Sequence, residues 1–194
     1  LGTGQDSITL NPTPGNITAT KAFSGGPYAQ GGTATLTITF NNAAAQPATI
    51  TSFTDDLTTM GTGYTVGGPA STTCGGTVAA SGTAINMLAG SGNSIPANGS
   101  CTITVPVAIS PPASTGTRTN TLAAGGLRTD RGYNGTAATA AINVTNGLSV
   151  AKSFSPTTII SGLESATMTI TLTRAAGAPA LTNLAFTDTF PTAP

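Results

Sequence analysis

The clearest pattern along the chain is strict alternation of apolar and hydroxyl side chains. In residues 33–40, apolar and threonine positions follow one another in turn, and residues 165–173 repeat this pattern. A period of two predicts β-strands with one face in a core and threonine on the other face. The predicted inward positions are Ala34, Leu36, Ile38 and Phe40 in the first segment, and Ala166, Met168, Ile170 and Leu172 in the second.

Further short strands are predicted between turn signals rich in glycine and proline. Their predicted ranges are 17–23, 48–55, 63–66, 76–80, 83–88, 101–109, 117–123 and 136–145. No stretch has a convincing helical stripe of apolar residues. Many short strands with such turns predict an all-β fold, an immunoglobulin-like antiparallel β-sandwich.

The chain also contains an internal repeat with an offset of about 130 residues. Residues 17–24 read ITATKAFS and residues 148–155 read LSVAKSFS. Phe-Thr-Asp at 53–55 returns at 186–188. We therefore expect one complete repeat over 16–145 and a partial second repeat over 146–194.

The ends of the repeat suggest two further expectations. Residues 1–15 are interpreted as a leader or as a strand donated to another molecule. Because the chain begins at Leu1, we expect it to be processed or cut from something longer. The second copy lacks most of its partner strands, so either the chain is truncated or another molecule completes the copy.

Charge is scarce, and this excludes several classes of function. Only 6% of the 194 residues are charged, the formal net charge is zero, and there is no histidine or tryptophan. The sequence therefore has no basic patch for nucleic acid, lacks the commonest general base and metal ligand, and has no apolar run of membrane-spanning length. We expect no enzymatic activity, cofactor, bound metal or membrane span. Low charge repulsion favours self-association into a homopolymer or array.

The two cysteines, Cys74 and Cys101, allow two readings. They are either buried free thiols or a disulfide. The disulfide is favoured because the rest of the chain is typical of an extracellular protein, in which such bonds persist.

Several blocks together resemble a known group of repeats. They are Lys-x-Phe-Ser, TTCGGT at 72–77, IPANGSCTITV at 95–105 and Thr-Asn-Thr-Leu at 119–122. They are similar to the tandem Ig-like repeats of large bacterial surface proteins, the "domain of unknown function 11" group and its relatives. The resemblance implies a secreted protein built in arrays on the bacterial cell surface, with a structural or adhesive role. It also implies a paired-cysteine feature, matched here by Cys74 and Cys101.

One set of residues has the types needed for self-crosslinking. In pilin-type Ig-like domains a buried lysine amine attacks an asparagine or aspartate side chain with help from a protonated carboxylic acid. Lys21, Asp55 and Asn120 are the required types, and Asn143 is an alternative acceptor. The plainer interpretations are a solvated lysine with a turn-capping aspartate, or a partly buried ion pair.

Two other features define the alternative functions. Arg128, Asp130, Arg131 and Tyr133 form the most charged stretch, which a ligand-binding adhesin would use as a recognition loop, although Asp130 and Arg131 are expected to pair with each other. Repeated Thr-x-Thr runs make ice binding a remote alternative. The favoured prediction is a structural component of an extracellular fibre, stalk or surface layer, assembling head-to-tail by strand complementation.

Overall fold

A computed structural model describes residues 16–87, 90, 92–160 and 162–190. This part of the chain contains sixteen β-strands and one short 3-10 helix, Leu57–Met60. The strands are β1 (Ile17–Ser24), β2 (Tyr28–Ala29), β3 (Thr33–Asn42), β4 (Ala48–Asp56), β5 (Tyr64–Val66), β6 (Ser71–Thr72), β7 (Val78–Ser81), β8 (Ala84–Met87), β9 (Ser94–Ile95), β10 (Gly99–Ile109), β11 (Gly116–Leu122), β12 (Leu127–Thr129), β13 (Gly132–Tyr133), β14 (Ala138–Thr145), β15 (Leu148–Ser155) and β16 (Thr167–Arg174).

One layer is an antiparallel sheet in the order β1-β3-β10-β5, with β6 also on β10. The remaining strands of the first copy form two further sheets, β11-β14-β2 and β13-β12-β4-β8-β7 with β9 on β4, and these pack against the first sheet through a common core. The short β2 is parallel to β14, whereas the other pairings are antiparallel. Antiparallel sheets that pack face to face over one core are the arrangement of a β-sandwich. The predicted all-β antiparallel sandwich is confirmed.

The core lies between these two layers and uses the predicted inward positions. Leu36, Ile38 and Phe40 of β3 are fully buried, while the threonines between them face outward. Phe40 meets Phe53 of the opposite layer edge-on, with ring centroids 4.9 Å apart. Cys74 and Cys101 form a disulfide and are both buried within this core, and the described part of the chain has no free cysteine.

The second copy is a separate two-stranded sheet, β15–β16. Its register repeats that of β1–β3: Lys152 lies opposite Ile170 as Lys21 lies opposite Ile38. Its apolar face is uncovered, however. Phe186 is 61% exposed, while Phe53, its counterpart in the first copy, is 1% exposed. All the large exposed apolar side chains in the described residues belong to this second copy.

A close backbone contact joins the two copies. Gly177 has a φ of +82°, and a Cβ built there would collide with the carbonyl oxygen of Pro27. A Cβ at Gly147 would lie 2.6 Å from the carbonyl oxygen of Gln30. Ala178, beside Gly177, is buried. Glycine is therefore required where the second copy rests on the β2 turn of the first.

The strand predictions hold for most of the long elements, although β15 lies outside the predicted ranges, and they miss most of the short ones. β2, β6, β9, β12 and β13, of two or three residues each, were not predicted because they are too short to show alternation. Residue 88 of the predicted strand 83–88 lies outside the described residues, as does the segment 1–15. None of the described helical structure is long and apolar enough to cross a membrane.

Candidate functional site

A buried ion pair connects the two layers of the sandwich. Lys21 projects from β1 and Asp55 from β4, and Lys21 Nζ lies 2.6 Å from Asp55 Oδ2. Both side chains are fully inaccessible to solvent. The two residues therefore lie on opposite sheets and meet in the core. The sequence hypothesis placed these two residue types together, and the structure shows them in contact.

Burial changes the chemistry of this lysine. Loss of hydration lowers the pKa of Lys21 below its usual value, and this effect exceeds the opposing attraction of Asp55. The neutral amine, which has a free lone pair, is thus easier to form here than in water. Asp55 Oδ1 is buried and has no hydrogen-bond partner. One oxygen of the Asp55 carboxylate therefore contacts Lys21, while the other is left in the core without a hydrogen bond.

Asn120 reaches the core beside the same strand end. It lies on β11 with its side chain fully buried. Its Nδ2 donates to the carbonyl oxygen of Asp56 at 3.0 Å and to Thr59 Oγ1 at 3.2 Å. Asn120 Oδ1 is buried without a hydrogen-bond partner. No hydrogen bond joins Asn120 to Lys21 among the described residues. Each of them contacts the end of β4, Lys21 through the Asp55 side chain and Asn120 through the Asp56 carbonyl oxygen.

The alternative acceptor, Asn143, does not share this pocket. It lies on β14 in an outward-facing position and is exposed. Since the reaction requires an apolar enclosure, only Asn120 of the two has a suitable environment.

The second copy contains the same ion pair in a different setting. Lys152 Nζ lies 2.8 and 2.9 Å from the carboxylate oxygens of Asp188. These side chains are 37% and 27% exposed. The ammonium group also lies over the rings of Phe154 and Phe190, 5.6 and 5.4 Å from their centroids. The two copies thus supply a buried and a solvated version of one pair.

The charged stretch 128–133 forms the β12–β13 hairpin, but two of its charges have structural partners. Asp130 Oδ1 accepts from the backbone of Thr49 at 2.7 Å, and Arg131 Nε donates to the carbonyl oxygen of Pro47 at 2.7 Å. The expectation that Asp130 and Arg131 pair with each other was wrong, because each side chain binds the β4 edge instead. Arg128 lies over the ring of Tyr133, 5.8 Å from its centroid.

The threonine runs form regular ranks on the outer face of the first layer. Thr20, Thr39 and Thr102 lie side by side across β1, β3 and β10, and Thr37 and Thr104 form part of the next rank. Regular ranks are the feature that ice binding needs. The remote ice-binding hypothesis stays a prediction, and absence of thermal hysteresis at high protein concentration would reject it.

Two buried asparagines were not singled out as structural residues from the sequence. Asn42 donates to the carbonyl oxygens of Gln46 and Pro96, and Asn134 holds the turn around Leu127 with both ends of its amide. Nothing in the local pattern distinguishes them from the many exposed asparagines. Within the described ranges, no group of three or more histidine, cysteine, aspartate or glutamate side chains could hold a metal ion.

These features define a disulfide-bonded β-sandwich with a buried Lys–Asp–Asn cluster, followed by the start of a second copy. A family model, Domain of unknown function (DUF7933), matches residues 18–144, which extend from β1 into β14. The chain belongs to this family. No curated protein is similar enough in sequence to count as a match.

Proposed function

We propose that this chain is a structural component of the bacterial exterior, forming part of a fibre, stalk or surface layer made of tandem Ig-like sandwiches. The observation that carries the proposal is the second copy. Only Asn146 and Gly147 separate β14 from β15, and the β15–β16 register repeats that of β1–β3. A chain that starts the same sandwich again at once is organised as an array.

The contact between the copies supports a mechanical role. Gly147 and Gly177 bring the second copy directly against the β2 turn. A short connection of two residues with backbone contacts restricts bending between neighbouring sandwiches. Stiff linear arrays of this kind suit stalks and fibres. The disulfide supports an oxidising, extracellular location, and the resemblance to repeats of bacterial surface proteins points the same way.

Strand complementation would provide the assembly step. In the complete copy β3 pairs with β1 on one edge and β10 on the other. In the described second copy, β16 pairs with β15 alone, and no described strand takes the position that β10 has beside β3. A strand from a second molecule would supply the missing backbone hydrogen bonds and cover the apolar face. Head-to-tail contacts of this type give open filaments. The suggested donor, Ser7-Ile8-Thr9-Leu10, lies outside the described residues.

Size-exclusion chromatography with light scattering, followed by electron microscopy, tests this proposal. We expect oligomers whose size grows with protein concentration and fibres or lattices in micrographs. A monomer at all concentrations, with residues 146–194 sensitive to proteases, would contradict assembly by complementation.

The alternative is a ligand-binding adhesin module, and the Arg128–Tyr133 contact is the observation that favours it. Arg128 is exposed at the hairpin and stacks on an aromatic ring, a combination that suits polar ligands such as glycans. Binding on a glycan array that disappears in Arg128→Ala and Tyr133→Ala would support this role. Asp130 and Arg131 are poor reporters because replacing them would also loosen the hairpin.

A further inference from the structure

We propose that Lys21 and Asn120 become joined by an amide bond within the folded sandwich, with Asp55 carrying the proton. The bond would link β1 of one sheet to β11 of the other. This inference rests on the buried cluster alone and is independent of how the chains assemble.

The first argument comes from unsatisfied polar atoms. Asp55 Oδ1 and Asn120 Oδ1 are both buried acceptors without a hydrogen-bond partner. Such atoms are rare in folded proteins because each one costs the hydration it has lost. A proton on the Asp55 carboxyl group would turn its unpaired acceptor into a donor, which is the form of the acid that the reaction needs.

The source of that proton is already in contact. Lys21 Nζ is 2.6 Å from Asp55 Oδ2, which is hydrogen-bond distance. Transfer of a proton from the ammonium to the carboxylate replaces two buried charges with two neutral groups, and burial favours this exchange. The direction of the Lys21 pKa, lowered by burial, agrees with it. The result is an amine nucleophile beside a carboxylic acid.

The asparagine is held in place as the acceptor. Its Nδ2 is fixed by the carbonyl oxygen of Asp56 and by Thr59 Oγ1. These two contacts orient the amide plane and leave Oδ1 for the acid. Asp56 follows Asp55 in the chain, so the amide is held beside the residue next to the acid of the ion pair. Fixed orientation of reacting groups supplies much of the rate in intramolecular reactions.

The reaction balances without an outside reagent. The Lys21 amine lone pair attacks Asn120 Cγ, forming a C–N bond, while the Asp55 acid polarises the carbonyl oxygen. Asp55 then passes a proton from the attacking nitrogen to Nδ2. The bond from Cγ to Nδ2 breaks and ammonia leaves. One primary amine and one primary amide become one secondary amide and ammonia, with no change of oxidation state.

The bond would matter mechanically. β11 pairs along its length with β14, the strand that leads to the second copy. Tension applied to an array enters a sandwich at β1 and leaves at β14. A covalent link from β1 to β11 would stop these strands from separating under load, which hydrogen bonds alone resist poorly. It would also resist proteases and heat.

Intact-mass measurement of the full chain tests the proposal. We expect a mass about 17 Da below that of the disulfide-bonded sequence, the mass of the ammonia lost when the amide forms. Proteolysis should then give a branched peptide that joins Lys21 to Asn120. A full mass in the unaltered chain would overturn the proposal, and so would a loss of about 18 Da with the branch at Asp55, since that is direct condensation of the ion pair with loss of water.

Single-residue variants test which side chains form the bond. Lys21→Arg and Asn120→Ala, made separately, should each restore the full mass. Lys152→Arg is the matched control because it removes the solvent-exposed lysine of the second copy; it should retain the loss. If that control abolished the loss, the assignment to Lys21 would be wrong. The mass of the unaltered chain is decisive even where a variant does not fold.

Discussion

Lys21 and Asp55 form an ion pair that is fully buried, with Nζ and Oδ2 2.6 Å apart. The corresponding pair of the second copy, Lys152 and Asp188, has nearly the same separation but remains partly in water. The local sequence around both pairs is similar, so the difference comes from what covers them. In the first copy the opposite sheet is complete, and in the described second copy it is not.

This contrast predicts very different effects of removing the two acids. Asp55→Ala should destabilise the sandwich by about 3–5 kcal/mol, because it leaves a lysine buried without its partner. Asp188→Ala should cost about 1 kcal/mol or less, as for other solvated pairs. Chemical denaturation of both variants, followed by circular dichroism, measures the difference. Equal effects would contradict the assigned environments.

A double variant separates charge from packing. If burial of the pair is costly, Lys21→Met combined with Asp55→Leu should be more stable than Asp55→Ala alone, since no charge is then left in the core. A double variant less stable than the single one would contradict the cost assigned to the unpaired lysine.

The sequence predicted the long strands because their burial is one-sided. The alternation in β3 is complete, and both the strand and its inward face are as expected. The same reasoning gave the correct β16 and its alternation, but not its exposure. Periodicity reports which face is apolar; it does not report whether another sheet lies on that face.

The candidate site was only partly predictable for a similar reason. Matching positions in two copies singled out Lys21 and Asp55, and residue chemistry suggested Asn120. The binding of Asp130 and Arg131 to the β4 edge depends on contacts between residues far apart in the chain, which no local pattern contains.

The disulfide should contribute substantially to stability. Cys74 and Cys101 are 27 residues apart, close a loop and are buried in the core. Restricting the unfolded chain by a loop of this size is worth about 3 kcal/mol. We expect Cys74→Ala combined with Cys101→Ala to lower the free energy of unfolding by that amount, as measured in urea. Adding reductant should not change the stability of this variant. A further loss of stability would show that the reductant acts on the protein by a route other than this disulfide.

Asp56 should make stability depend on acid pH. Its Oδ1 accepts from the backbone N–H of Thr58 at 2.8 Å and caps the 3-10 helix. This hydrogen bond lowers the pKa of Asp56 below 3.8. The stabilisation is thus complete above the unfolded-state pKa and is lost as the pH falls through the lower, native-state pKa.

Replacing Asp56 tests the direction in which stability changes with pH. Asp56→Ala should cost about 1 kcal/mol at neutral pH, reduced by solvent screening of the exposed carboxylate. Asp56→Asn keeps an acceptor for the cap and should retain most of the stability while losing this part of the acid dependence. Denaturation midpoints between neutral pH and pH 3 check both. An unchanged acid profile in Asp56→Asn would assign the effect to other carboxylates.

The contact between copies should depend on Gly177. Gly177→Ala introduces a Cβ at a φ of +82° that also collides with Pro27. Gly162→Ala is a matched control, since Gly162 has a φ of +81° but nothing within 4 Å of a Cβ. We expect Gly177→Ala, and not Gly162→Ala, to release the second copy, giving a larger radius in small-angle X-ray scattering and faster proteolysis within 148–190. The same result for both variants would show that backbone strain alone is responsible.

The uncovered face of the second copy should drive self-association. Leu172 is 36% exposed and Phe186 is 61% exposed, whereas the equivalent Phe40 and Phe53 are buried. Covering one such side chain on association is worth about 1.5–3 kcal/mol, or roughly tenfold or more in affinity. Phe186→Ser should therefore weaken association by at least about tenfold in sedimentation experiments. Thr37→Ser, on the polar outer face of the first copy, is the control and should leave association unchanged. If both variants associate like the unaltered chain, the apolar face is not the contact, and the assembly must use another surface of the sandwich.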